Sequence, residues 1–380
     1  MRGRPLMNER AATALPSPID AIESSGSRRG DALTFGILGD RKLVFSESRQ
    51  AIYELSDISA DAWQSLDGGV GGAEVDAGLV ACDLDRASQD LRVPAGPPVA
   101  PLPQRSERLV GLTISIAGVA VQLHLSKALV GDVVAVFGQL IADVRDADYL
   151  LCAQLAGGTV EVFSPGQPDW SCPRSQFIPL LKAQLIDAVL RCAPYEVALH
   201  AAALARNDQC VLLVGSPGAG KTTLAIALTK AGFELLADDV TLLDEHGLVT
   251  GVPLPFTAKA TSWPLLSRRW PGITDHPSHC RPDGKVVCYI PHIAVSNDRR
   301  PRRIGAVVLL NREEDARTCV EELDLTVALG ALVAEGATRD ERLSATGFTA
   351  LVQGLGEARC CRLTYSDLGD AAEAVCSLDA

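Results

Sequence analysis

No apolar run in the chain reaches the roughly 18–20 residues that a helix needs to cross a bilayer, because the longest are broken by Asp, Gly or His. The amino-terminal stretch MRGRPLMNERAATALPSP carries charge but no continuous apolar core, so it does not read as a secretory signal. Positive charge is in the minority. The 35 Lys and Arg stand against 47 Asp and Glu, a formal net charge of −12. Broad binding to nucleic acid or to an anionic membrane needs clustered cations, so both are excluded as general functions. No CxxC pair occurs among the 11 cysteines, and only Cys360 and Cys361 are adjacent. They read as reduced, mostly buried small apolar residues, which makes the cytoplasm the expected location.

What is present is a globular composition. Apolar residues make up 47% of the 380 positions and charged ones 22%, enough for a packed core, and the length predicts about two or three domains. Residues 1–30 are polar and rich in Arg, Ser and Pro, and are expected to be a disordered tail. LTFGIL and KLVFSES read as two strands joined at Gly39 and Asp40. In YELSDISADAWQSLDGG, Ser56 or Asp57 can cap a helix that carries Ile58, Ala62 and Leu66 on one stripe and ends at Gly68 and Gly69. A second helix is expected over about 72–91. The segment VPAGPPVAPLPQR has five prolines, which remove backbone donors and fix φ, so 93–106 is read as a semi-rigid linker. The expected organisation is therefore a tail (1–30), a small α+β domain (31–92), the linker (93–106) and an α/β domain (107–380).

In that last part LTISIAG and AVQLHL alternate as strands do. FIPLLKAQLIDAVLRCAP carries Ile178, Leu181, Leu185 and Val189 on a helical stripe closed by Pro194. EVALHAAAL, CVLLVG, FELLADDV and IGAVVLL are apolar runs suited to buried strands. KTTLAIALTKAG predicts a helix with Leu224, Ala227, Leu228 and Ala231 inward, and LDLTVALGALVAE a further helix.

The chemistry is concentrated at VLLVGSPGAGKTT, 211–223. Gly215, Gly220, Lys221 and Thr222 fit G-x-x-x-x-G-K-[ST], with an apolar strand before and a helix after. Glycines let backbone N–H groups turn toward phosphate oxygens, and the helix amino terminus adds positive potential. The expected nucleotide cradle is Gly215, Ser216, Pro217, Gly218, Ala219, Gly220, Lys221, Thr222 and Thr223. In it Lys221 reaches the outer phosphates of ATP and the Thr222 hydroxyl can coordinate Mg²⁺. ADD at 237–239 ends the next strand, and in a parallel sheet it comes to the same carboxyl edge. One carboxylate can hold Mg²⁺ or its waters, and the other can take the proton of an attacking hydroxyl. His200, in the strand before the cradle strand, gains weight only from this company.

HAAAL, then VLLVGSPGAGKTTLAIAL, then LLADD resembles the carboxy-terminal catalytic domain of the HPr kinase/phosphorylase family, over about 195–245. The resemblance implies a P-loop α/β fold of the kind shared with phosphoenolpyruvate carboxykinase, and transfer of phosphate to serine. It implies Asp239 as the base, His200 as its assistant, Lys221 on phosphate, Thr222 on Mg²⁺ and Asp238 beside the metal. It also allows a homo-oligomer. The family's glycine-rich signature after the Asp pair is absent, and Pro264 stands about where its further metal-binding acid would fall. The chain is thus more similar to the diverged HPr-kinase-related proteins found beside genes for modified peptides, and HPr itself is not implied as the acceptor. YELSDISADAWQSLDGG resembles the helix region of the winged-helix-like peptide-recognition modules of the pyrroloquinoline quinone type. That implies leader-peptide binding by 31–92, the peptide adding as a strand to a sheet edge; an unrelated α+β cap is the plainer reading.

Three function classes follow. They are a serine kinase acting on a peptide or protein, a small-molecule P-loop kinase, and a nucleotide-dependent scaffold without transfer, with plain nucleotide hydrolysis behind them. Lys259 and Arg312 are cations that could neutralise a transferring phosphate, though solvated surface charge is the commoner role. HPSHC (276–280) is read as a mobile substrate loop rather than a metal site, and RRPRR (299–303) as a solvated basic loop.

Overall fold

The computed structural model describes residues 33–48, 50–55, 77–82, 109–144, 146–291, 300–338 and 342–378. The tail 1–30, the helix expected after Ser56 and the linker 93–106 lie outside them. The protein is mixed α/β, with five sheets among the described residues.

The first sheet is an antiparallel meander: β1 (Leu33–Leu38), β2 (Arg41–Ser46), β3 (Ala51–Leu55) and β4 (Ala77–Cys82). The β1–β2 hairpin turns at Gly39 and Asp40 as expected, with Gly39 at φ +61°. The helix expected over 72–91 is corrected: Ala77–Cys82 pairs with β3 as a strand. A six-residue apolar run has no periodicity that separates a buried strand from a helix, and pairing to β3 decides it.

The second sheet comprises β5 (Val110–Ile116), β6 (Val119–Leu125), β7 (Tyr149–Ala156), β8 (Thr159–Phe163) and β9 (Trp170–Pro173). Helix α1 (Lys127–Phe137) makes the crossover between the parallel strands β6 and β7. Helix α2 (Arg174–Cys192) follows β9 and buries Ile178, Leu181, Leu185 and Val189, the expected stripe, with Lys182 buried among them.

From there the chain weaves two sheets together. β10 (Val197–Leu199) and β11 (Ala202–Arg206) form where one strand, EVALHAAAL, was expected, and the two halves belong to different sheets. β12 (Gln209–Val214), helix α3 (Lys221–Lys230) and β13 (Glu234–Ala237) follow, then β14 (Thr241–Leu243) and β15 (Val249–Gly251). β11 pairs antiparallel with β13, and β10 antiparallel with β14. The partners Leu199↔Thr241 and Ala203↔Ala237 keep one register across both sheets. The gap in one strand, at His200 and Ala201, therefore lies opposite the gap in the other, at Asp238–Val240. Ala201 O accepts from the buried Thr241 Oγ1 at 3.0 Å, tying the crossing together.

The remaining elements are β16 (Phe256–Lys259), α4 (Trp263–Arg269), β17 (Ser278–Cys280), β18 (Val286–Ile290), β19 (Arg303–Arg312), β20 (Cys319–Glu322), α5 (Leu325–Ala334), β21 (Gly336–Ala337), α6 (Ala345–Leu355), β22 (Arg359–Tyr365) and α7 (Leu368–Cys376). The largest sheet has the order β13-β11-β12-β19-β22-β20. β12, β19 and β22 run parallel, while β11 and β20 oppose their neighbours. The expectation of a parallel sheet is thus corrected to a mixed one. β13 and β12 still point the same way, because each opposes β11, so the Asp pair does reach the edge where the glycine-rich loop begins.

Side chains of β12 alternate between two cores. Cys210, Leu212 and Val214 pack with β1–β3, α5 and α6, whereas Val211 and Leu213 pack with α3 and α7. Full burial of each Val or Leu is worth about 1.5–3 kcal/mol, so such two-sided strands anchor the fold. On α3, Leu224, Ala227 and Leu228 are buried as expected. Ala231 is exposed, because the helix ends at Lys230 and Ala231 is its cap.

Two discounted segments are also corrected. Within HPSHC, Ser278–Cys280 forms a strand that pairs with β18 rather than a loop. In the basic cluster Arg302 is buried at 7% exposure and ion-pairs with Asp208 and Glu234. Buried Arg needs such partners, and here they fasten β19 beside β12.

Candidate active site

The loop 215–220 links β12 to α3. Gly220 caps the helix at φ +98°, a conformation open to glycine, and the position of an added Cβ there lies 2.3 Å from Tyr365 Oη. That hydroxyl donates to Ala219 O at 2.8 Å, so Tyr365 at the end of β22 braces the loop from behind. The first amides of α3 have no acceptor within their own helix, and Leu224 N makes the first intrahelical bond, to Gly220 O at 2.8 Å. Ser216, Pro217, Gly218, Gly220, Lys221, Thr222 and Thr223 line a cleft of about 630 Å³, while Gly215 and Ala219 form the loop behind it. The Lys221 ammonium donates to Gly215 O. Burial pushes Lys221 below the usual lysine range; Glu335, Asp239 and Asp238 pull it back up, and the charge of Lys259 adds to the depression.

The two crossing gaps bring the acids and the histidine to this loop. Asp238 is buried at 1% exposure, and its Oδ2 accepts from Thr257 N at 3.0 Å. Burial first, then the charge of Asp239, push its carboxyl up to about 6, while Lys182, the Thr257 amide and Thr222 act in the opposite sense. Its Oδ1 is buried with no hydrogen-bond partner among the described residues. A buried carboxyl oxygen left over beside Thr222 fits a hard cation that keeps most of its own waters and phosphate ligands. Among the described residues no group of three or more His, Cys, Asp or Glu is placed to hold a metal by protein ligands alone.

Asp239 lines the cleft with its side chain 34% exposed. Burial opposes its ionisation, but the Lys182 ammonium at 2.6 Å, with His200 and Lys221, outweighs burial and holds the carboxyl below the usual range. Lys182 also donates to Thr257 Oγ1 at 2.5 Å and Pro255 O at 3.1 Å, which satisfies all three of its protons. His200 lines the same cleft. Its backbone N donates to Glu335 O at 2.8 Å, and its Nδ1 lies 3.4 Å from Glu335 Oε2. Register explains the contact: β21 pairs with β10 through Leu199↔Gly336, which puts Glu335 opposite His200.

The structure thus brings Lys221, Thr222, Asp238, Asp239 and His200 together. Lys259 and Arg312 open onto the same cleft. His276 and Cys280 do not reach it, and His279 packs its ring against Tyr289 with centroids 5.5 Å apart. Sequence reasoning missed Lys182, Thr257, Glu335 and Tyr365. For Lys182 a signal exists, a lysine four residues from Ile178 on the apolar stripe of α2. The other three arrive through pairing between strands distant in sequence.

No family model matches the chain, and no curated protein matches it. Among solved structures, the Hpr(Ser) kinase/phosphatase from Coxiella burnetii aligns over 48% of this chain and 97% of its own, at 13% identity and a TM-score of 0.22.

Proposed function

We propose that the protein is an ATP-dependent serine kinase related to HPr kinase, with a P-loop catalytic domain and a peptide or protein as acceptor. The observation that carries this reading is Asp239, a carboxylate held by Lys182 Nζ at 2.6 Å and facing the same cleft as Lys221 and the glycine-rich loop. A nucleotide binder that only holds its ligand has no need of a base there. Backbone amides of 216–223 would receive the phosphates, with Lys221 leaving Gly215 O to reach them. Thr222 and Asp238 would hold Mg²⁺, which when bound supplies charge neutralisation on the phosphate oxygens. Asp239 takes the proton of the acceptor hydroxyl. Lys182 fixes that carboxylate, and Glu335 fixes the ring of His200 beside it. Positioning and charge compensation supply most of the rate.

We further propose that residues 31–92 recognise the leader of a peptide substrate as a winged-helix-like module, in a cytoplasmic protein that acts alone or as a homo-oligomer. The test is intact-mass analysis of small serine-containing peptides encoded near the gene, incubated with protein, Mg²⁺ and ATP. A phosphate-sized gain that is absent with Asp239→Asn supports the kinase. Nucleotide bound without any gain moves the weight to a small-molecule acceptor or a binding role.

A further inference from the structure

Among the described residues six cationic side chains line the cleft: Lys182, Lys221, Lys259, Arg281, Lys285 and Arg312. Four are accounted for by contacts within the protein. Lys182 is held by Asp239 at 2.6 Å, Arg281 and Lys285 flank Asp283 at 3.3 and 3.1 Å, and Lys221 lies inside the loop on Gly215 O. Lys259 and Arg312 face the cleft with no hydrogen bond or ion pair from their side chains among the described residues. An unpaired cation that is half-buried in a cleft calls for an anion.

Topology separates the two. Arg312 is exposed and ends β19, on the opposite side of β12 from β13 and Asp239. Lys259 stands on the side of the Asp pair. Along β16, Phe256 and Ala258 are buried at 2% and 1%, so Thr257 and Lys259 share the face toward the cleft. Thr257 touches both carboxylates, its N bonded to Asp238 Oδ2 at 3.0 Å and its Oγ1 3.5 Å from Asp239 Oδ2. Two residues along a strand advance about 6.4–6.8 Å, so Lys259 is rooted one such step from the residue that touches both acids. The strand end is pinned, with Trp263 Nε1 donating to Ala258 O at 3.0 Å and Ser262 Oγ to Lys259 O at 2.7 Å.

Resting on the kinase reading, we propose that Lys259 binds the terminal phosphoryl group of the nucleoside triphosphate, the group in transfer, while Lys221 holds the phosphates within the loop. In the transfer the bond from the terminal phosphorus to the bridging oxygen breaks, its electron pair staying on the diphosphate. The acceptor oxygen forms the new bond to phosphorus, and its proton goes to Asp239. Lys259 keeps its proton and supplies positive charge where the phosphoryl oxygens pass.

The assignment is tested without any acceptor, by calorimetric titration with Mg²⁺–ADP and with the Mg²⁺ complex of the non-hydrolysable imidotriphosphate of adenosine. Wild type is expected to prefer the triphosphate. Lys259→Met is expected to lose tenfold or more of that preference while ADP affinity stays within twofold. Lys259→Arg is expected to keep most of it, and Arg312→Met all of it. An unchanged preference in Lys259→Met, or equal weakening of both nucleotides, overturns the assignment. If Lys259→Met does not fold, Lys259→Gln carries the same comparison. A wild type that binds both nucleotides equally overturns this assignment alone, whereas one that binds neither overturns the kinase reading with it.

Discussion

Lys182 Nζ and Asp239 Oδ2 lie 2.6 Å apart, and the pair ties two sheets together: α2 packs on the β5–β9 sheet, and Asp239 leaves the sheet that carries the glycine-rich loop. The lysine is 6% exposed and the aspartate 34%. This asymmetry separates the consequences of the two mutations. Asp239→Asn strands a buried ammonium. Breaking a buried pair from one side costs about 3–5 kcal/mol, and the opening of this pair to the cleft places the loss at the lower end. Transfer should fall by about 10²–10⁴, the range for losing a general base, while nucleotide affinity stays near wild type. Thermal melts and intact-mass assays check both. Transfer at the wild-type rate would sink the base assignment.

Asp238 gives a pH dependence of definite sign. Its folded value, about 6, lies above the ordinary carboxylate value because of burial and the Asp239 charge. Below the unfolded value of about 3.9 both states hold the proton, and the stabilising contribution is fully present. As pH rises through about 6 the folded carboxyl must ionise in its buried site, and the contribution is lost. The melting temperature of wild type should therefore drop relative to Asp238→Asn between about pH 4 and 7, without divalent ions. Binding of Mg²⁺–ADP should strengthen over the same rise, since the cation competes with that proton. A flat difference between the two melting curves would remove Asp238 as the titrating group.

Gly220 and Tyr365 form a coupled pair behind the loop. Gly220→Ala meets both a positive φ and the Tyr365 hydroxyl 2.3 Å from the new Cβ position. It should weaken ADP binding at least tenfold. Tyr365→Phe removes the bond to Ala219 O and costs about 1 kcal/mol of stability, with little change in affinity. The double variant should recover part of the affinity lost in Gly220→Ala, because the clash goes with the hydroxyl. Strict additivity in that cycle would mean the two residues do not press on each other.

The legible parts of the site were those written in consecutive residues. The glycine-rich loop, Lys221, the Asp pair and the stripe Leu224–Leu228 follow from local spacing, and the structure brings them into one cleft. What escaped depends on pairing across the chain. His200 is named in the sequence, but the break between β10 and β11 that holds it arises where the strand changes sheets, and no apolar run records that. Glu335 reaches His200 only through the register of β21 with β10. Lys182 breaks the pattern of α2 visibly, but its partner is 57 residues away.

The same limit hid how the amino-terminal strands attach. Phe45 stacks on Phe348 with ring centroids 5.3 Å apart, and Gly36 leaves room for that ring, the position of an added Cβ being 3.0 Å from Phe348 Cε1. Arg41 bridges Glu54 and Asp324 at 2.5 and 2.8 Å. Gln50 bonds Leu343 both ways, donating to its O at 3.0 Å and accepting from its N at 2.6 Å. Leu38, Leu43, Phe45 and Ile52 are continuous with Val197, Leu212, Leu329 and Leu351 in a single core. Phe348→Ala would empty the centre of that core, at about 3–5 kcal/mol. The expected outcome is one calorimetric transition in wild type and one, shifted down, in the variant, since strands that share a core melt with it. Two transitions, with only the earlier moved by Phe348→Ala, would show that β1–β3 fold apart from the sheet that carries the glycine-rich loop.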